Sequence, residues 1–170
     1  MAAIGAARWM PRDIDSLHSL QRILMIITRY DDHSIFDEHV GRDRFIDFLH
    51  THLGRFGDAK DAIGKCLDFA FGRNGGLGGF VLTAADDERL VGALVMNKTG
   101  MQGYIPENIL VYVAVDESLR GRGIGRQLVD RALAEADGDV KLHVEYDNPA
   151  KRLYERMGFA SKYAEMRWTR

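Results

Sequence analysis

Residues 113–126 read VAVDESLRGRGIGR, and the fold turns on how this stretch is parsed. Its valines end a β-branched and aromatic run, Ile109 to Val115, which predicts a buried central strand. A polar turn follows. Gly121, Gly123 and Gly125 then lead into a segment with Ile124, Leu128, Val129 and Leu133 on one side, which predicts a helix over about 123–136 ended by Gly138. Alternate glycines remove Cβ atoms from a tight turn, so the backbone N–H groups of Arg122 to Arg126 can converge on one point. The unpaired donors of a helix N-terminus add partial positive charge there. Together they predict an anion site suited to a pyrophosphate. Arg120, Arg122 and Arg126 add positive charge to it, in a chain whose formal charge is −2.

Two common phosphate loops do not fit. A P-loop needs Gly-Lys-Ser/Thr at the helix start, and Gly125-Arg126-Gln127 is not that. A dinucleotide fingerprint needs G-x-G-x-x-G with an acid about twenty residues on; here the spacing is G-x-G-x-G, and Asp137 and Asp139 are not placed at a clear strand end. Downstream, residues 142–159 read LHVEYDNPAKRLYERMGF. This predicts a strand over Val140 to Val144 and a helix over Asn148 to Met157, closed by Gly158 as a left-handed cap.

The pair of motifs, Arg120-x-x-Gly123-x-Gly125 after a Val-rich strand and then Asn148, Ala150, Leu153-Tyr154 and Gly158-Phe159, resembles the signature of the GNAT N-acetyltransferase superfamily in order and spacing. The resemblance covers Ile109 to Phe159 and extends weakly to Arg8–Asp13. It implies a GNAT-like fold, and with it acetyl-CoA as co-substrate and no metal. It implies that the loop from Arg120 to Arg126 (Arg120, Gly121, Arg122, Gly123, Ile124, Gly125, Arg126) holds the pyrophosphate. The backbone of Val113, Ala114 and Val115 is then expected to meet the pantetheine as an added strand does. By the same resemblance Asn148 either bonds the pantetheine or caps its helix, and Tyr154 faces the coenzyme sulfur as general acid. A core tyrosine on an amphipathic helix is the alternative for Tyr154. The general base is not matched; Glu107, before the central strand, and Glu145, after the next, are the candidates, and Tyr112 lies within the central strand.

Outward from this core, the rest of the chain reads as a mixed α/β (α+β) sheet with helices on both faces, in one domain spanning 1–170. Ile4 to Met10 reads as a first strand. Asp13 reads as a cap, followed by a helix through Ile14, Leu17, Leu20, Leu24 and Ile27 to about Tyr30–Asp32. Further helices are expected over about Asp43 to Leu53 and Asp58 to Phe71. Gly72 to Gly79 reads as a break. Phe80 to Thr83 and Leu90 to Met96 read as strands joined by the polar turn Asp86-Asp87-Glu88. Phe159 to Trp168 reads as a last strand. GNAT domains usually have two strands after the Gly-Phe, and this segment has room for one. Its exposed edge suggests a homodimer that covers it.

Bulk composition limits the function classes. With 46% hydrophobic and 28% charged residues the chain is of ordinary globular composition. The near-neutral charge provides no global field for nucleic acid or an anionic membrane. The single cysteine, Cys66, excludes an intramolecular disulfide and a multi-cysteine zinc site. His50 and His52 read as a helix-surface pair rather than as ligands. No segment reads as a signal peptide or membrane span, so a cytoplasmic location is expected. The function expected is transfer of an acetyl group from acetyl-CoA to a primary amine, small-molecule or peptide, by direct attack in a ternary complex. A non-catalytic acyl-CoA-binding module and an unrelated nucleotide-binding α/β domain are the competing readings.

Overall fold

The computed structural model describes residues 25–170. Five strands form one sheet in the order β1-β2-β3-β4-β5: Met25–Tyr30, Gly79–Asp86, Arg89–Lys98, Asn108–Val115 and Val140–Leu142. The first four pair antiparallel and β5 joins β4 in parallel. The helices are α1 (His33–His39), α2 (Arg42–Leu53), α3 (Lys60–Ala70), α4 (Ile124–Glu135) and α5 (Lys151–Arg156).

Strand periodicity sends alternate residues to opposite faces, and two apolar clusters result. On one face Tyr30, Val81, Ala93, Val95, Tyr112 and Ala114 pack against Phe36, Phe45, Leu49, Ile63 and Leu67 of α1, α2 and α3. On the other, Leu82, Ala84, Leu94, Met96 and Leu110 pack against Ile124, Leu128, Val129 and Ala132 of α4 and Tyr154 of α5. Gly92 sets the depth at which α4 sits. A Cβ there would stand 2.8 Å from Leu128 Cδ1 and 3.2 Å from Ala84 Cβ, so any larger residue would make the Leu128 side chain shift.

The expected mixed sheet with helices on both faces is what the chain forms. Three readings change. Met25–Tyr30 is a strand, not the end of a helix. Leu24 and Ile27 have helical spacing, but Ile26, Ile27 and Thr28 are β-branched, and the segment pairs with β2 from Met25↔Asp86 to Tyr30↔Val81. The expected strand at Ile4 to Met10, the cap at Asp13 and the start of that helix lie outside the described residues. Second, α1 was not anticipated; Asp32 caps it, its carboxylate accepting from Ser34 N (2.8 Å) and Ile35 N (3.0 Å). Third, Phe159 to Trp168 forms no strand. A strand needs an edge to pair with, and β5, three residues long, offers almost none. Tyr163, Met166 and Trp168 are exposed, and the tail meets β5's continuation only loosely, with Glu165 3.9 Å from His143. The edge on which the homodimer expectation rested is therefore not formed. Among the described residues no helix is long and apolar enough to cross a membrane.

Candidate active site

Two irregularities in the sheet open a slot. Strand β4 is paired with β3 along its length, but Val95 is opposite Tyr112 and Met96 opposite Leu110, so Val111 is an extra, bulged residue. On the other side β4 meets β5 only from Asn108↔Val140 to Leu110↔Leu142. Beyond Leu110 the two strands part. The edge of β4 from Val111 to Val115 is left without a strand partner among the described residues, and its N–H and C=O groups face a cleft. Val113 and Val115 put their side chains into the α4-side cluster, as ordinary core.

The cleft leads to the glycine turn. Asp116 caps a short 3-10 turn, Glu117–Leu119, accepting from Ser118 N (2.9 Å) and Ser118 Oγ (2.6 Å). Arg89 pairs with the same carboxylate at 2.5 Å. The Ser118 and Arg89 donors hold the Asp116 carboxyl down at about 2, against the desolvation that burial imposes. Gly121 and Gly123 have φ of 80° and 83°, the left-handed region that residues with a Cβ avoid. Gly123 caps α4, accepting from Gln127 N (3.0 Å). The successive N–H groups from Gly121 to Arg126 have no hydrogen-bond partner among the described residues. These are the free donors of a helix N-terminus, joined to a turn that also offers its amides.

The arginines separate by role. Arg122 is exposed with no ion pair among the described residues. Arg126 pairs with Asp130 at 3.4 Å on the surface. Arg120 turns away from the cradle, donating to the His52 carbonyl at the end of α2 (2.5 Å). There a cation also suits the helix C-terminus. His52 Nδ1 accepts from Glu117 N at 3.3 Å. His52 is thus a clamp between α2 and the loop, not a mere surface residue, while His50 is exposed. Gly125 also departs from expectation. It lies inside α4, and a Cβ there would make ordinary contacts with Val115 (3.5 Å) and Leu153 (3.7 Å). Neither φ nor packing requires glycine at that position.

Tyr154 sits at the α5 end of the slot, and the spacing to Gly158-Phe159 has a local cause. Gly158 (φ 95°) donates to Glu155 O at 3.1 Å, and Phe159 N donates to Tyr154 O at 3.0 Å. This is a Schellman closure, with its usual apolar contact: the Tyr154 and Phe159 rings stand edge to face at 5.8 Å. The cap therefore holds the tyrosine ring. Tyr154 is buried, its hydroxyl has no partner among the described residues, and burial pushes its phenol up to about 12. Asn148 accepts from Ala150 N at 2.9 Å, an Asx turn just before α5; the N-cap of α5 is Ala150, without a side-chain cap, so the Asn148 side chain shapes the approach to the helix rather than capping it.

The two candidate bases are not alike. Glu107 accepts from Asp139 N (2.8 Å) and Gly103 N (3.4 Å), tying two turns together at the opposite end of β4 from the loop. Backbone donors, first its own N–H and then those of Asp139 and Gly103, lower its pKa, the reverse of what a base poised near neutrality needs. The structure does not bring Glu107 to the cleft. Glu145 is exposed, just past β5, where the strands part. A third carboxylate, absent from the sequence reading, stands on the α1–α3 face: Asp58 accepts from Tyr112 Oη at 2.6 Å. Tyr112 follows the bulge directly. Desolvation, then Asp58 itself, raises its pKa, so the phenol stays a donor. Among the described residues no group of three His, Cys, Asp or Glu side chains is placed to hold a metal ion.

Fold and site together define an α/β transferase domain whose sheet parts beside an anion cradle. The family model of the acetyltransferase (GNAT) domain matches residues 78–161, β2 through the α5 cap, and the chain belongs to the GNAT acetyltransferase superfamily. A search of curated proteins gave no match. Solved structures resemble it in fold. A transcriptional regulator from Bacillus halodurans aligns with a TM-score of 0.61 at 18% identity, covering 85% of this chain and 99% of that one. The aminoglycoside N-acetyltransferase AAC(6')-Iy, in complex with CoA, gives 0.60 at 16%, covering 86% and 94%. A probable acetyltransferase from meticillin-resistant Staphylococcus aureus gives 0.60 at 20%, covering 86% and 100%.

Proposed function

We propose that the protein is an N-acetyltransferase that uses acetyl-CoA and a primary amine in a ternary complex. The observation that supports this reading is a juxtaposition: N–H groups without partners among the described residues, Gly121 to Arg126, follow closely on the β4 edge that β5 leaves unpaired, and Tyr154 packs in the cluster on the α4 side of the sheet. The residues present fit the coenzyme. The cradle suits its pyrophosphate, Arg122 adds a free cation, and the backbone of Val113, Ala114 and Val115 suits the pantetheine amides. When bound, acetyl-CoA supplies an acetyl thioester.

The chain's own residues do the rest. A backbone N–H of β4 near the bulge at Val111 is free to stabilise charge on a carbonyl oxygen. Tyr154 donates a hydrogen bond to a departing thiolate. A phenol at about 12 does not hand its proton over completely; an ordinary thiol sits near about 8.5, so full transfer runs about 3.5 units uphill. Tyr154 is therefore a hydrogen-bond donor that lowers the barrier rather than a strong acid. The Asn148 turn and the Gly158 cap hold it in place.

Thiol release from acetyl-CoA across a panel of primary amines is the direct test. Amine-dependent release, with one acetyl-amide formed per thiol, is expected. Tight CoA binding without release from any amine would leave only the cradle.

A further inference from the structure

Among the described residues, Asp58 is a carboxylate tied to the central strand through a side chain, that of Tyr112. It is exposed, in the connection between α2 and α3, and accepts a 2.6 Å hydrogen bond from Tyr112. Tyr112 is itself buried in β4 beside the bulged Val111, where the strands part. The carboxylate therefore stands a tyrosine's length, plus one hydrogen bond, off the strand that borders the slot. It lies on the face opposite α4 and Tyr154. The same connection is tied to the segment beyond β5 by a surface ion pair, Arg55 with Asp147 at 2.7 Å.

Asp58 has no ion pair among the described residues. Arg167 of the tail is near enough to feel its charge without pairing with it. Below it, Cys66 and Asn97 continue a polar strip. The Asn97 amide nitrogen reaches Cys66 O (3.4 Å) and Sγ (3.3 Å), and its carbonyl oxygen is buried without a partner. The strip thus offers one unpartnered buried acceptor, Asn97 Oδ1, and one exposed carboxylate, Asp58, so its complement is a hydrogen-bond donor that carries positive charge.

Magnitudes decide which cation. The reacting nitrogen must be neutral to attack. A free amine gains little from a carboxylate, whereas a group that stays protonated gains a charge-assisted hydrogen bond from it. Resting on the N-acetyltransferase reading above, we propose that Asp58, oriented by Tyr112, holds a second, non-reacting cationic group of the acceptor. The acceptor class is then an amine that carries another positive centre. Asp58 is a specificity residue, and Tyr112 a positioning residue that acts through it.

The test compares acceptors of matched size, 1,4-diaminobutane against butylamine, by thiol release. The wild-type protein favours the diamine in kcat/KM by roughly 10–100-fold, the scale of one charge-assisted hydrogen bond. Asp58→Asn, at an exposed position, abolishes that preference through the diamine's KM. It leaves the butylamine rate and the KM for acetyl-CoA unchanged. Asp58→Glu restores part of the preference, and Tyr112→Phe loses part of it without changing the CoA affinity. Equal use of both amines by the wild type, or a preference that survives Asp58→Asn, overturns the proposal. Calorimetry of the two amines in the presence of CoA separates this from the parent reading. If no amine releases thiol, the N-acetyltransferase reading fails. Tighter diamine binding that depends on Asp58 still supports the cation site, and binding that does not overturns it.

Discussion

The two faces of the sheet build their parts of the site from different materials. On the α4 side the anion cradle is main chain: free amides of a glycine turn, a helix N-terminus and a strand edge. On the α1–α3 side the corresponding wall is side chains, an aspartate and a tyrosine 54 positions apart in sequence. A main-chain site depends on backbone dihedrals and is insensitive to most side-chain changes. A side-chain site has the reverse sensitivities. The glycines and the tyrosines are therefore the places to break the contrast.

The largest effect is expected at Gly123. Its φ of 83° disfavours any Cβ, so Gly123→Ala should turn the cradle amides off target. CoA affinity should fall roughly 10–100-fold, one or two charge-assisted hydrogen bonds. Gly125→Ala is the control, with a helical backbone and room for a methyl group at 3.5 Å and 3.7 Å. It should bind CoA within about twofold of the wild type and melt no lower, because alanine favours a helix interior by about 1 kcal/mol over glycine. Calorimetry and thermal melts on both variants check this. Equal losses from both would mean that the dihedral is not what matters.

Tyr154→Phe comes next. It keeps the ring, its contact with Phe159 and the Schellman cap, and removes one hydroxyl. A fall in kcat of roughly tenfold is expected, the lower part of the range for such assistance. The phenol at about 12 keeps its proton across the ordinary range, so wild type and variant should share one pH profile between pH 7 and 10. A limb near pH 9 that vanishes in the phenylalanine variant would show Tyr154 titrating and would refute the hydrogen-bond role.

The smallest effect concerns the loop's foundation. The Asp116 carboxyl sits at about 2 in the folded protein, below its unfolded value near about 3.9. A carboxyl depressed by folding contributes stability above its unfolded pKa and loses it as pH falls toward the folded one. Its partner Arg89 is 60% exposed, so solvent discounts the contribution. Asp116→Asn should destabilise the protein by roughly 1–2 kcal/mol at pH 7, with the gap closing toward pH 2. A gap that persists at pH 2 in denaturant melts would point to packing instead.

The legibility of the chain follows the same division. Main-chain function leaves marks in sequence because a φ near 83° selects glycine, and because a Schellman cap sets the interval from Tyr154 to Gly158 and Phe159. The glycine turn, the central strand and α5 were readable for that reason. The contact of Arg120 with the His52 carbonyl was not legible, since nothing in the spacing shows that this carbonyl lies within reach. The Asp58–Tyr112 pair left no mark: the fold, not a local rule, joins residues so far apart. Met25–Tyr30 was misread because Leu24 and Ile27 also fit helical spacing in so short a segment, and pairing with β2 decides it.

The unpaired edge of β4 from Val111 to Val115 has a consequence for how long the protein lasts in a cell. On the proposed function the acyl donor completes that edge, and a ligand that binds only the native form raises its stability by mass action. At a hundred times its dissociation constant the gain is about 2.7 kcal/mol. That is a large fraction of the margin of a domain this size, about 5–15 kcal/mol. Steady-state abundance would then follow the donor pool, with starved cells clearing the enzyme as an unfolded chain before any regulator acts on its gene.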